Sequence, residues 1–245
     1  MSRLFQTTYG FKCFRKLSLT PHNTYTFDPD TTAIRNICNS MIGAKISFNY
    51  RIEFPGAQDS MNPLMNCNII GDCMENIVAQ QIKQQIPTFA SGPRQASPDF
   101  QNNEYEWELK TFHKTPGFDV SNFSSFIEHV IQPGGLLRKL FRTQYMVFEY
   151  EIRPGGVTIV NFWTLNLWQL FNYDGKYPIS LQCKRNIWYN LRPSSTKSWQ
   201  DDSKTPKQFI DSLCESIAIC PNEIYNKEDK IRQIRLDYSN IILDR

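Results

Sequence analysis

The chain has 245 residues, of which 40% are hydrophobic and 21% charged, and carries a net charge of +3. That balance fits a globular protein with a sizeable core and excludes a generally disordered chain. No apolar run approaches the roughly 18–20 residues that span a bilayer, and MSRLFQTTYGFKCFRKL at the N-terminus lacks a secretory apolar core, so a cytoplasmic location away from membranes is expected.

Residues 1–30 are mixed, with turn signals at TPHNT and FDPD. Asp30 is placed to cap a helix through TTAIRNICNSMIG, where Ala33, Ile34, Ile37, Cys38 and Met41 follow helical spacing. ISFNYRIEF, residues 46–54, has the β-branched and aromatic content of a strand, and a Pro/Gly/Asn-rich loop follows. In NIIGDCMENIVAQQIKQQI the positions Met74, Ile77, Val78, Ile82 and Ile86 recur every three or four residues, the pattern of an amphipathic helix. SGPRQASP is a loop. After it, Tyr105, Glu106, Trp107, Glu108, Leu109 and Lys110 alternate as a strand does.

VSNFSSFIEHVIQP reads as a helix stopped near Pro133, followed by a glycine pair and by the short basic LLRKLFR. QYMVFEYEI (144–152) and VTIVNFWTL (157–165) read as a hairpin with room for a bulge. NLWQLF forms a helical turn. YPISLQC (177–183) and RNIWYNL (185–191) carry further strand signals, RPSSTKSWQDDSKTP is a polar loop, and KQFIDSLCESIAI and NKEDKIRQIRLDYSNIIL end the chain as helices. This order predicts one α/β domain over residues 1–245, with a mixed central sheet flanked by helices.

The seven cysteines form no CxxC pair and there are only three histidines, which disfavours a structural zinc site and fits reduced thiols. There is no Walker A loop, GxGxxG, GxSxG or HExxH.

The polar residues of SPDFQNNEYEWELKTF offer a chemistry of their own. Phosphodiester hydrolysis needs an activated water, charge stabilisation at the phosphoryl oxygens and help for the leaving oxygen. Mg²⁺ held by a few carboxylates supplies much of this while keeping positions for water and phosphate. A lysine beside it can orient or activate the water. Glu108 and Lys110 share one strand face, and a turn at Asn102–Asn103 can return Asp99 beside Glu108. The backbone carbonyl of Leu109 is a further oxygen in reach. The alternative is a wet strand face carrying a weak surface ion pair; Glu106, on the same face, is read as such a bystander.

Pro98-Asp99 followed by Glu108-Leu109-Lys110 resembles the signature of the PD-(D/E)XK nuclease superfamily, which includes most type II restriction endonucleases. DF…WELKT is similar to the active-site strand of mismatch-repair nicking endonucleases of the MutH type and of PvuII-like restriction enzymes. GDCMENIVAQQI resembles the helix that brings a glutamate, here Glu75, to that site. LLRKLFRTQYMVFEYEI resembles the basic segment leading into a core strand. The likeness covers roughly residues 70–165. It implies a restriction-endonuclease-like fold, Mg²⁺ bound by Asp99 and Glu108, a water positioned by Lys110, and Glu75 acting through another water. It also implies double-stranded DNA as partner, with a possible homodimer. A nicking enzyme and a catalytically inert nucleic-acid-binding module stay open as alternatives.

Two basic clusters are candidates for DNA contact: Arg138, Lys139 and Arg142, and, over about residues 180–205, Lys184, Arg185, Arg192 and Lys197. The second is interleaved with Trp188, Tyr189 and Trp199, of which Trp188 and Tyr189 read alternatively as core residues of a strand. The loop from Arg192 to Lys204 is the first candidate for sequence readout. His113 and Lys114, just past the strand, are further candidates near the point of cleavage.

Overall fold

The computed structural model describes residues 29–47, 67–92, 98–154 and 156–243. The N-terminal turn signals, most of the expected strand 46–54 and its following loop, and the middle of SGPRQASP lie outside the described residues.

Helix α1 runs Pro29–Ser40, so Asp30 lies within the helix rather than at its cap. Of the strand expected at 46–54, β1 (Lys45–Ser47) is described. Helix α2 (Cys67–Gln85) buries Ile70, Met74, Val78 and Ile82 completely, a stripe repeating every four residues. Two short strands, β2 (Ala90–Ser91) and β3 (Phe100–Gln101), lead into β4 (Glu106–Phe112). β5 (Ser121–Asn122) runs directly into α3 (Phe123–Val130), whose first turn is capped by the Asn122 side chain accepting the Ser125 N–H. A short helix α4 (Gly135–Leu137) continues into a π-turn over Arg138–Arg142. The long hairpin β6 (Thr143–Arg153) and β7 (Gly156–Asn166) follows, then a 3-10 turn at Leu167–Leu170. β8 (Leu181–Lys184), β9 (Ile187–Leu191), α5 (Thr196–Trp199), α6 (Pro206–Ile219) and α7 (Lys227–Leu243) complete the chain.

Six strands form a mixed sheet in the order β1-β7-β6-β4-β3-β2. β4 and β6 are parallel, joined by a crossover through α3 and α4, and the other pairs are antiparallel. This is the expected mixed sheet flanked by helices. β8 and β9 belong instead to a second, three-stranded sheet with β5. The helix-rich C-terminal half therefore carries a small sheet that the strand signals alone do not separate from the large one.

Two apolar clusters lie on opposite faces of the large sheet. One gathers α1, α2, Trp107, Leu109, Met146, Phe148 and Val157. The other gathers α3, α6, Phe112, Tyr145, Val147, Leu165 and the four remaining tryptophans. The expected bulge lies in the β6–β7 pair, where Val160 has no partner between Ile159 and Asn161. Its effect is visible in packing. Val157 and Ile159 point into the first cluster, but past the extra residue the phase inverts, so Phe162 faces that cluster while Leu165 faces the other. No helix among the described residues is long and apolar enough to cross a membrane.

Candidate active site

The turn between β3 and β4 is built by Asn102. Its side-chain oxygen accepts the N–H groups of Glu104 and Tyr105 at 2.8 and 2.7 Å, and its own N–H donates to the Tyr105 carbonyl at 3.0 Å. The reversal pairs Gln101 with Glu106 and Phe100 with Trp107. There the ladder stops. At the next position the Asp99 carboxylate takes over, with Oδ2 accepting the Leu109 N–H at 2.7 Å. A side chain thus satisfies a backbone donor that β3 has ceased to serve.

Asp99 is fixed from its other side by Gly92, whose N–H donates to the Asp99 carbonyl at 2.7 Å. A Cβ on Gly92 would fall 1.6 Å from the Pro98 carbonyl oxygen, so the chain beside Asp99 tolerates only glycine. Sequence reasoning did not single out Gly92; its only signal is the Ser-Gly-Pro turn that contains it.

Glu108 is buried, with 7% of its surface exposed. The Lys110 ammonium lies 3.7 Å from Oε2, and the Lys139 ammonium 3.4 Å from Oε1. The neighbouring strand places Tyr145 directly beside Glu108. Burial pushes that phenol well above its usual range, and the negative charges of Glu108 and Asp99 push it further. Burial likewise raises the Asp99 carboxyl, and Glu108 adds to the effect, while Lys110, the Leu109 N–H and Lys139 oppose it. Glu75, half-buried on α2, is raised by burial and then by Asp99, Asp72 and Glu108, against the pull of Lys110. These influences put Glu75 in the same electrostatic neighbourhood as Asp99, Glu108 and Lys110.

The structure therefore gathers Asp99, Glu108 and Lys110 where β3 leaves β4 open, with Glu75 of α2 within reach of their charges. Among the described residues no three His, Cys, Asp or Glu side chains form a close metal cage. The donor set still fits Mg²⁺, which binds through one or two carboxylates and keeps water and phosphate as its other ligands. The Asp99 carboxyl, raised by burial and by the charge of Glu108, lies where a cation would offset both.

The basic residues are dispersed. Arg138 Nε donates to the Glu106 carboxylate at 2.7 Å. Glu106 is consequently half-buried and ion-paired, not the solvated bystander that the alternation suggests. Lys139 faces Glu108 and is 8% exposed, where the sequence reading has it facing phosphate. Arg142 lines a cavity of about 360 Å³ with Asn102, Asn103, His129 and Gln132. The His129 imidazole is held below its usual range by burial, then by Lys139 and Arg138.

Lys184 and Arg185 are exposed at the β8–β9 hairpin tip, where Arg185 and Asn186 have φ of 49° and 62° in a two-residue turn. Arg192 Nε lies 2.8 Å from Asp119, and Lys197 is exposed on α5. Trp188 and Trp199 are buried and Tyr189 is exposed. The segment read as a polar loop therefore contains a helix pinned by Trp199. Lys204 is also buried, its ammonium donating to the Gln169 carbonyl at 3.2 Å. His113 stacks on Tyr150, with ring centroids 5.8 Å apart.

Comparison with known proteins places this geometry in a family. The solved structure of the NlaIV restriction endonuclease superposes with a TM-score of 0.64, covering 86% of this chain and 89% of that one at 18% identity, which shows a shared fold. The type II restriction enzyme NlaIV of Neisseria lactamica is 25% identical over 167 residues, an alignment covering 63% of this chain. The chain spans 66% of that relative's length, just under two thirds. The model of the NgoBV restriction endonuclease family matches residues 58–244, which include the open edge of β4, the helix that carries Glu75 and both basic clusters. With most of its length matched, the chain belongs to the NgoBV restriction endonuclease family.

Proposed function

We propose that the chain is a type II restriction endonuclease, a Mg²⁺-dependent enzyme that hydrolyses double-stranded DNA at a specific sequence. The observation that carries this reading is the convergence of Asp99, Glu108 and Lys110 at the open edge of β4 in a chain of this family. Asp99 and Glu108, with the Leu109 carbonyl, are the residues to hold the metal. A divalent cation bound there supplies charge stabilisation at the phosphoryl oxygens and a more acidic water.

The chain's own groups do the remaining work. Lys110, the more exposed of the two ammonium groups beside Glu108, orients the attacking water. The Leu109 N–H keeps the Asp99 carboxylate pointed at the site. Glu75 acts through a second water, and its raised pKa suits it to accept or release a proton. Attack forms a phosphorus–oxygen bond to the water oxygen, breaks the bond to the leaving ester oxygen, and leaves a proton to each product as pH dictates.

DNA is gripped by Arg142 and the paired Arg138 on one side, and by Lys184, Arg185, Arg192 and Lys197 on the other. The exposed hairpin tip and α5 supply the recognition surface of a single nuclease domain whose catalytic core is residues 70–165. A homodimer reading a palindrome would present two such sites, one to each strand. The proposed setting is the cytoplasm.

Incubation with supercoiled plasmid and Mg²⁺ tests the reading. The expected products are linear DNA and discrete fragments with uniform ends. Asp99→Ala and Lys110→Ala should each lower cleavage by at least roughly 10²–10³-fold, the scale of losing an essential charge-stabilising or proton-transfer group. Relaxed circles alone would point to a nicking enzyme. Undiminished cleavage by either purified variant would remove the assignment.

A further inference from the structure

Lys139 is the more deeply buried of the two lysines whose ammonium groups face Glu108. The π-turn Arg138–Arg142 sets consecutive side chains on alternate residues of β4: Arg138 on Glu106 at 2.7 Å, and Lys139 on Glu108 Oε1 at 3.4 Å. The turn closes where the Thr143 N–H bonds to the Arg138 carbonyl, the five-residue span of a π-helix. The Thr143 hydroxyl lies 3.0 Å from that carbonyl and 3.3 Å from the Glu106 carboxylate. The turn is thus tied to β4 next to the place where Lys139 enters. With 8% of its surface exposed, Lys139 is held in the site and is not a flexible surface cation.

We propose, resting on the reading of this site as a metal-dependent nuclease centre, that Lys139 is a positioning residue that takes the place of a second divalent cation. Its ammonium occupies the Oε1 side of Glu108, so the centre binds one metal ion per chain. An ammonium 3.4 Å from Oε1 repels a divalent cation approaching that oxygen, and with the pair almost fully buried, water and salt screen little of the repulsion. Lys139 also fixes the carboxylate that holds the metal, as outer partners of metal ligands commonly do.

Titration of the full-length chain with Mn²⁺, followed by electron paramagnetic resonance, reads the stoichiometry without relying on cleavage. The unaltered chain should bind one Mn²⁺. Lys139→Met should bind two, with the line broadening of coupled spins, and Lys139→Arg should return to one. In plasmid cleavage the Mg²⁺ dependence should be hyperbolic for the unaltered chain. For Lys139→Met it should be steeper, with the half-maximal concentration raised at least about tenfold.

Two ions on the unaltered chain would overturn the inference, and that measurement stands even if Lys139→Met fails to fold. So would a single ion, at any affinity, on a folded Lys139→Met. Asp99→Ala separates the two levels of argument by abolishing Mn²⁺ binding. If it binds Mn²⁺ as the unaltered chain does, the metal centre itself is misplaced, and the inference falls with it.

Discussion

The Glu106 carboxylate holds Arg138 and Thr143, and through them the π-turn that delivers Lys139 to Glu108. Glu106→Ala would strand a guanidinium that is only about one-third exposed. A hydrogen bond to a charged group contributes about 1.5–3 kcal/mol, and the exposure of Arg138 reduces this to about 1–2 kcal/mol. For a chain of this size, that lowers the melting temperature by roughly 2–8 °C. A thermal melt by circular dichroism checks the shift. An unchanged melt would show that Arg138 is as well solvated without its partner. Asp99, Glu108 and Lys110 were legible as a group because the turn residue Asn102 and strict alternation fix their relation through local backbone alone. Lys139 was not. Its direction depends on one wider turn of helix, and LLRKLFR carries no periodic signal for that. Nor could alternation separate Glu106 from Glu108, since what covers each is supplied by a segment more than 30 residues further on.

Elements were read well where a pattern is repeated over many residues and poorly where a few large side chains decide. The spans of α2, β6 and β7 follow from their apolar stripes and aromatic runs. Alternation alone leaves open a wet face on β4, but Glu108 is buried there, so its carboxylate must find partners inside the protein. α5 was hidden in a stretch of Ser, Thr, Asp and Lys, yet Trp199 is 1% exposed and packs against Phe112, Phe118 and Trp163. Truncation to alanine should cost about 3–5 kcal/mol, the range for a fully buried large aromatic. The urea midpoint of Trp199→Ala, measured by far-ultraviolet circular dichroism, tests this. A loss below about 1 kcal/mol would mean that the indole is peripheral to folding. Phe112 ends the strand that carries Glu108 and Lys110, so this packing also ties α5 to the strand of the candidate site.

At the scale of the whole molecule, the large sheet is a shared wall between two apolar clusters. β4 gives Trp107 and Leu109 to one side and Phe112 to the other; β6 gives Met146 and Phe148 to one and Tyr145 and Val147 to the other. Neither cluster can come apart without exposing one face of the strands that support the other, so the two should unfold together. The tryptophans make this measurable. Trp107 belongs to the cluster of α1 and α2, while Trp163, Trp168, Trp188 and Trp199 belong to or pack against the opposite one. Ile82 on α2 is fully buried in the first cluster, remote in packing from those four. Ile82→Ala should destabilise the chain by about 2–5 kcal/mol. Its urea transition should move to lower concentration by the same amount in tryptophan fluorescence and in far-ultraviolet circular dichroism. An early circular-dichroism transition with an unmoved fluorescence midpoint would show two independently folding halves, with β4 belonging to only one of them. Coincident transitions would mean that the carboxylates from β4 and its edge, Glu75 from α2 and Lys139 from the π-turn are held by one cooperative unit. Their relative geometry would then persist for as long as the chain is folded.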